Sequence, residues 1–374
     1  MCRVLLQLAR PAHSELVLEQ VQVLFRHGER TPRIQEMYPN DPYNISTYDP
    51  IGLGHLTNKG KMTEYHLGKM LRLRYDDFLG NIYRPNDILA VSSDVDRTKM
   101  SLMLVLAGLY PPSPTQIWNS NLLWMPIPIH YAPQKMDMFF KAHENGVYME
   151  ALKKVRNSEE IRKKMSIFSD LFKFLSEKTG INIKNSSQVF EIFHLLTSQK
   201  AMNLVVPDWC TDEIYNKIRE VVILDYDIRS YTTQLKRLHA GSLIKKFIQN
   251  MNLNNERNTL RKMYLYSGHE VNIAAFTKAH NLSEPKVPAY GSAILVEKLR
   301  NTEDDSILVR MLLWTGGTGE LISYKLEGCN SDFTCPINKY LEIVRNVTIT
   351  DEDLNLQWSK VTLDDVRKYF TEEL

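Results

Sequence analysis

Three short segments carry residues that could handle an anion. Arg26-His27-Gly28-Glu29-Arg30 sets an imidazole between two guanidiniums. Arg97 closes a polar run that starts at Ser92, and His269-Glu270 follows Ser267-Gly268. Guanidinium forks match phosphate oxygens two at a time. Three of them could not share a dry pocket without an anion to balance them, so the ligand they imply is a phosphate group. A neutral histidine can attack phosphorus and become a phosphohistidine, and His27 is placed for that. Nearby cations would hold its ring neutral in mild acid by like-charge repulsion. The departing oxygen needs a proton, which a carboxylic acid such as Glu270 can donate. A donor that must start protonated predicts an acidic rate optimum.

Taken singly, these residues are unremarkable. A lone Arg97, or His269-Glu270 alone, reads as an ordinary solvated or hydrogen-bonded group. The Arg-His-Gly tripeptide is a sharper signal, and the placement of all three segments is sharper still. Each follows a strand-like run and precedes a polar turn or helix. Val17–Phe25 is a β-rich apolar run that stops at Arg26. Ile88–Val91 is a second, leading through Arg97 into an apolar helix over Met100–Leu109 that Pro111-Pro112 ends. Met263–Tyr266 is a third, leading through His269 into a helix over Val271–His280. Ligands of open α/β sheets bind outside the carboxyl ends of the strands, and helix starts there favour anions. Glu29 reads as a local ion-pair partner. His55, His66, His194 and His239 read as surface or packing residues.

Other elements fill in the architecture. Thr57 caps a helix with Met62, Tyr65, Leu71, Tyr75 and Phe78 at helical spacing, stopped by Gly80. Residues 136–222 are helical and charge-rich, with helices expected over Tyr148–Arg156, Glu159–Lys178, Ser187–Asn203 and Asp212–Val221. Ala293–Leu299 and Ile307–Trp314 flank a polar turn and predict an antiparallel hairpin. The expected fold class is α/β, a three-layer sandwich around a mostly parallel sheet. Its α/β domain takes residues 15–135 and 223–350, with residues 136–222 inserted as a helical cap and residues 351–374 as a C-terminal tail or helix.

Composition sets limits. The chain has 374 residues, 46 basic and 44 acidic side chains, and a net charge of +2. That balance disfavours a nucleic-acid binder with one large basic field. A hydrophobic content of 43% excludes a disordered chain, and no apolar run reaches the roughly 20 residues of a membrane span. Residues 1–14 hold a short Val4-Leu5-Leu6 run broken by Gln7, a poor match to a signal peptide that reads at most as a remnant of one. Cys2, Cys210, Cys329 and Cys335 show no zinc-like spacing. Cys329 and Cys335 enclose a short loop that could close as a disulfide or stay as two thiols. Asn44, Asn185, Asn281 and Asn346 open Asn-x-Ser/Thr sequons, which permit glycosylation and secretion.

FRHGERTP resembles the RHGxRxP signature of the histidine acid phosphatases. SSDVDRT is similar to that family's second arginine segment, and SGHE to its His-Asp/Glu segment. LTNKGKMTEYHLGKMLRLRY and LVLAGLYPP extend the resemblance to the prostatic, lysosomal and, most closely, insect venom members, over about residues 16–347. The resemblance implies a phosphoglycerate-mutase-like fold and hydrolysis of phosphate monoesters to alcohol and inorganic phosphate. It implies His27 as nucleophile, Arg26, Arg30, Arg97 and His269 as phosphate ligands, and Glu270 as proton donor. Much of the family has aspartate there, so Glu270 is a departure, with Asp96 and Glu29 as fallback acids. No metal or cofactor is implied. A Cys329–Cys335 bridge, a secreted or lysosomal location and a homodimer are implied; WMPIPIH, Trp124–His130, is similar to a stretch at the prostatic dimer interface, although Trp124 also fits a core position. The resemblance leaves room for a specialised phytase or lysophosphatidate phosphatase. A secreted binding protein or allergen with a weakened site is the reading from another class.

Overall fold

A computed structural model describes residues 16–253, 261–317, 319–329 and 333–357. The N-terminal segment 1–14, with Cys2, and the tail beyond residue 357 lie outside the described residues. Strand β1 (Leu16–Arg26) leads through the arginine–histidine loop to α1 (Asn58–Leu79). Strand β2 (Ile88–Ser92) leads to α2 (Asp96–Leu109), and β3 (His130–Tyr131) follows. A helical run comes next: α3 (Gly146–Arg156), α4 (Glu159–Ser166), α5 (Ser169–Thr179), α6 (Ser186–Ala201), α7 (Asp212–Arg229) and α8 (Thr233–Asn250). Strand β4 (Met263–Gly268), α9 (Glu270–Ala279), and the strands β5 (Ala293–Asn301), β6 (Ile307–Trp314), β7 (Leu321–Ser323) and β8 (Cys335–Pro336) complete the sheet, before α10 (Ile337–Val344) and α11 (Asp351–Gln357).

The sheet order is β3-β2-β4-β1-β5-β6-β7, with β8 pairing β6. The first four strands in that order are mutually parallel, and those beyond β1 are antiparallel. The expected hairpin is β5–β6, with Ala293 opposite Trp314. Period-two alternation in β1 sends its side chains to opposite faces. Val21, Val23 and Phe25 pack under α1 and α2, against Leu67, Leu71, Leu102 and Val105. Leu24 faces the other way, in a cluster with Phe247 of α8 and Phe276 of α9. Each fully buried side chain of this kind contributes about 1.5–3 kcal/mol. The result is the expected three-layer α/β sandwich.

Two helix expectations are corrected. The helix read over Glu159–Lys178 is two, α4 and α5, because the chain turns at Ile167-Phe168 and Phe168 packs inward against the cluster around Leu171 and Leu175. Helix α8 was not anticipated. It is buried on most sides, so its apolar positions form no single stripe. Its Gly241 is needed because a Cβ there would lie 2.7 Å from both the Val347 carbonyl oxygen and the Ile349 amide. The boundary placed at 222/223 falls within α7, which runs on to Arg229.

Helix α1 is anchored at the arginine–histidine loop. Thr57 caps it as expected, its hydroxyl accepting from the Gly60 amide at 3.0 Å. A Cβ on Gly28 would meet the Gly60 carbonyl oxygen at 2.3 Å, and one on Gly60 would meet the Glu29 carbonyl oxygen at 2.0 Å. Two glycines therefore let the loop lie directly on the first turn of α1.

Candidate active site

Strand β4 lies between β1 and β2, so three carboxyl ends meet side by side. The register pairs Arg26 with Gly268 and Ser92 with Ser267. The His27 amide donates to the Gly268 carbonyl at 3.1 Å, and the Ser93 amide to the Ser267 carbonyl at 3.0 Å. A small cleft opens above them, lined by His27, Arg30, Arg97, His269 and Glu270, with Arg33, Lys141, His143, Glu191 and Arg229 around them. Residues 30, 97 and 269 are far apart in sequence and adjacent here.

His27 is 1% exposed. Its Nδ1 lies 2.9 Å from the Gly28 carbonyl oxygen, which can only accept, so Nδ1 carries the proton and Nε2 keeps its lone pair. Burial, then the charges of Arg97 and Arg26, hold the ring's pKa well below the usual histidine value. His27 therefore stays neutral in acid. The His269 ring stands edge-on to His27 with centroids 5.5 Å apart. Its Nε2 is 3.1 Å from the Ser93 hydroxyl, which in turn meets Thr98.

The arginines divide into three situations. Arg30 is held bidentately by buried Glu36, at 2.8 and 2.5 Å. Glu36 also accepts from the Arg33 side chain and amide. Burial alone would raise the Glu36 pKa, but Arg30 and Arg33 prevail and hold it down at about 2. Arg26 does not line the cleft. It donates to the Pro288 carbonyl at 2.7 Å, lies 4.0 Å over the Tyr290 ring, and sets its Nε 3.2 Å from a Glu270 oxygen. Arg97 has no carboxylate partner among the described residues. Burial and the nearby Arg30 charge lower its pKa to about 10, the mark of a cation still lacking an anion.

Glu270 reaches the cleft from the first turn of α9. Burial would raise its pKa, yet Arg26 and the surrounding histidines hold the carboxyl well below the usual range. Its second oxygen lies 3.4 Å from Nε2 of His194 on α6. Of the surface and packing alternatives, His194 takes the buried one at 1% exposure, and it also backs the carboxyl, a contact the sequence did not signal. The fallback acids stand elsewhere. Asp96 is exposed at the first turn of α2, and Glu29 accepts from the Thr63 hydroxyl at 2.6 Å with Lys59 beside it. Sequence reasoning also passed over Arg33, Glu36, Lys141, His143, Glu191, Arg229 and Tyr290. Arg33 and Glu36 follow the motif closely, and a charged pair three residues apart was the available signal. The others come from helices and turns distant in sequence and left none.

Cys329 and Cys335 are joined by a disulfide, and Cys210 is free and buried.

An open α/β sheet with histidines and an unpaired arginine at adjoining strand ends defines an enzyme built to hold phosphate. The model of the histidine phosphatase superfamily (branch 2) matches residues 17–313. A venom acid phosphatase of Apis mellifera is 39% identical over 90% of this chain and 87% of its own. The prostatic acid phosphatase of Bos taurus is 30% identical over 89% of this chain and 86% of its own. The solved phytase of Hafnia alvei with myo-inositol hexakis sulphate shares the fold, with a TM-score of 0.69 at 17% identity over 90% of this chain and 98% of that one. The chain belongs to the histidine phosphatase superfamily, branch 2.

Replacing Glu36 by Gln leaves Arg30 and Arg33 without their shared carboxylate. Glu36 is depressed in the folded chain, so its contribution is full above the unfolded carboxyl pKa of roughly 4.3 and is lost as pH falls through about 2. Glu36→Gln should therefore cost about 3 kcal/mol at pH 6. Urea melts at pH 6 and pH 3 should show that difference shrinking in acid. A constant difference would remove the charge explanation.

Proposed function

We propose that His27 is the nucleophile, Arg30, Arg97 and His269 the phosphate ligands, and Glu270 the proton donor of this phosphatase. The enzyme is an acid phosphatase, hydrolysing phosphate monoesters to alcohol and inorganic phosphate through a phosphohistidine. The observation that carries these roles is the free Nε2 of a neutral His27 in the same cleft as the unbalanced Arg97. Nε2 attacks phosphorus and the P–O ester bond breaks. The departing alkoxide takes the proton of Glu270. Water then attacks the phosphohistidine, the Glu270 carboxylate takes its proton, and phosphate leaves with His27 restored. Arg26 acts from behind by orienting Glu270.

Arg26 faces Glu270 and holds its carboxyl ionised. A bound phosphate dianion opposes that influence and draws the carboxyl back towards its protonated form. The added methylene relative to aspartate is supported by contacts at both oxygens, from Arg26 and from His194.

The cleft favours one phosphate at a time. Each rim cation already has a carboxylate: Arg33 has Glu36 and Glu191, Lys141 has Glu144, and Arg229 has Asp225. A substrate with many phosphates would need spare cations there. This supports a general monoesterase over the phytase reading. The helices α3 to α7 act as a cap, since Glu191 and Arg229 reach the cleft from it.

The protein is secreted or lysosomal and works as a homodimer. The disulfide and the exposed positions of Asn44, Asn281 and Asn346 support entry into an oxidising compartment. No helix among the described residues is long and apolar enough to cross a membrane. Trp118, Leu123 and Trp124 are exposed together beside the edge strand β3, with Trp118 donating to the Trp124 carbonyl at 2.7 Å. Trp124 at 39% exposure is no core residue, and such a patch favours contact with a second copy.

Rates on p-nitrophenyl phosphate and an alkyl phosphate should peak at about pH 5 and be unaffected by EDTA. His27→Ala should remove turnover, and unchanged turnover would end the nucleophile assignment. In the single-turnover phosphorylation of His27, Glu270→Gln should slow the alkyl ester at least about a hundredfold while sparing p-nitrophenyl phosphate, whose leaving group needs no proton. Equal losses on both would reassign the donor. Sedimentation should give a dimer for the native chain and an active monomer for Leu123→Asp/Trp124→Asp; a native monomer would overturn the dimer. Protein from a secreting eukaryotic host should lose mass on N-glycosidase treatment.

A further inference from the structure

A second and larger cavity lies within the helical layer, between α3, α4, α5 and the start of α6. Its volume is 860 Å³, inside the roughly 300–1,000 Å³ of small-molecule sites. It shares no lining residue with the cleft. The walls are apolar: Met149, Leu152, Ile161, Met165, Phe172 and Ile228. The charged residues that line it are not balanced. Lys153, Arg156, Arg162 and Lys184 face one carboxylate, Glu150. Arg156 is partly satisfied by buried Asp225 at 3.0 Å. Lys153, Arg162 and Lys184 have no carboxylate partner among the described residues.

We propose that this cavity binds a long-chain carboxylate, a fatty acid with its chain in the apolar interior and its head among Lys153, Arg162 and Lys184. Charge complementarity selects the head, since a cationic amphiphile would meet three unpaired cations. Length and shape select the tail, because two methionines and a phenylalanine line a space no side chain fills, and methionine adapts to flexible apolar chains. A bare anion gains nothing from those walls, and a neutral alcohol leaves the cations uncompensated. The site is separate from the catalytic one. Ile228 faces the cavity while its neighbour Arg229 faces the cleft, so α7 divides the two.

The test is calorimetric titration of the full chain with dodecanoate, in the presence of saturating inorganic phosphate to occupy the cleft. One dodecanoate per chain should bind. Dodecyltrimethylammonium, with the same tail and the opposite head, should bind at least tenfold more weakly, as should dodecanol. Lys153→Glu/Arg162→Glu, both at exposed positions, should weaken dodecanoate at least tenfold and leave turnover of p-nitrophenyl phosphate unchanged. Met165→Trp, which narrows the apolar wall, should weaken dodecanoate binding, with its thermal melt reporting that it folds. No dodecanoate binding, equal binding of the cationic amphiphile, or binding unmoved by the charge reversals would each overturn the proposal. Loss of binding on adding phosphate would also overturn it, by moving the ligand to the catalytic cleft.

Discussion

Arg30 and Arg97 point like charges into one small cleft, and that repulsion has to be offset before the sheet ends can come together. The fold offsets most of it locally. Glu36 takes Arg30 and Arg33 in a single buried network, and Glu270 takes Arg26. Arg97 alone is left without a carboxylate among the described residues. A half-buried charge without a partner acts more strongly than one in open water. The cleft is thus neutral enough to fold and positive enough at one point to hold an anion already in place for reaction.

That arrangement also sets the protonation states that the chemistry needs. A histidine next to cations, itself buried, resists protonation. His27 and His269 are both depressed, so both rings stay neutral in acid. Glu270 lies at the opposite extreme, ionised by Arg26 until an anion arrives. The charge of a bound anion and the protonation of Glu270 are therefore coupled through a single ion pair. The helical layer contributes the rest, with His194 behind the carboxyl and Arg229 at the rim, tied to Asp225 on the same helix.

Much of the site could be read from the chain. The strand–loop–helix unit repeats at β1, β2 and β4, and His27, Arg97 and His269 stand between strand end and first helical turn in the expected order. The Thr57 cap, the Gly80 stop and the β5–β6 hairpin were equally legible, because each depends on residues within a few positions. Helix α8 was not, since burial on most sides removes the one-sided pattern that betrays a helix. The break between α4 and α5 escaped for a related reason: Phe168 turns inward to fill a cluster made by other helices, and nothing local demands it.

By itself the sequence determined the chemistry on offer: which loops hold guanidinium, imidazole and carboxyl groups, and that they follow strands. The tertiary structure decided who meets whom. Placing β4 between β1 and β2 joins residues more than 240 positions apart, and only the pairing of strands makes that adjacency. It set Arg26 against Glu270, and it brought His194 from the helical layer to the same carboxyl. Local periodicity carries no information about such contacts. They follow from which buried faces fit together and from the need to give each buried charge a partner, and both are settled only when the whole chain is packed.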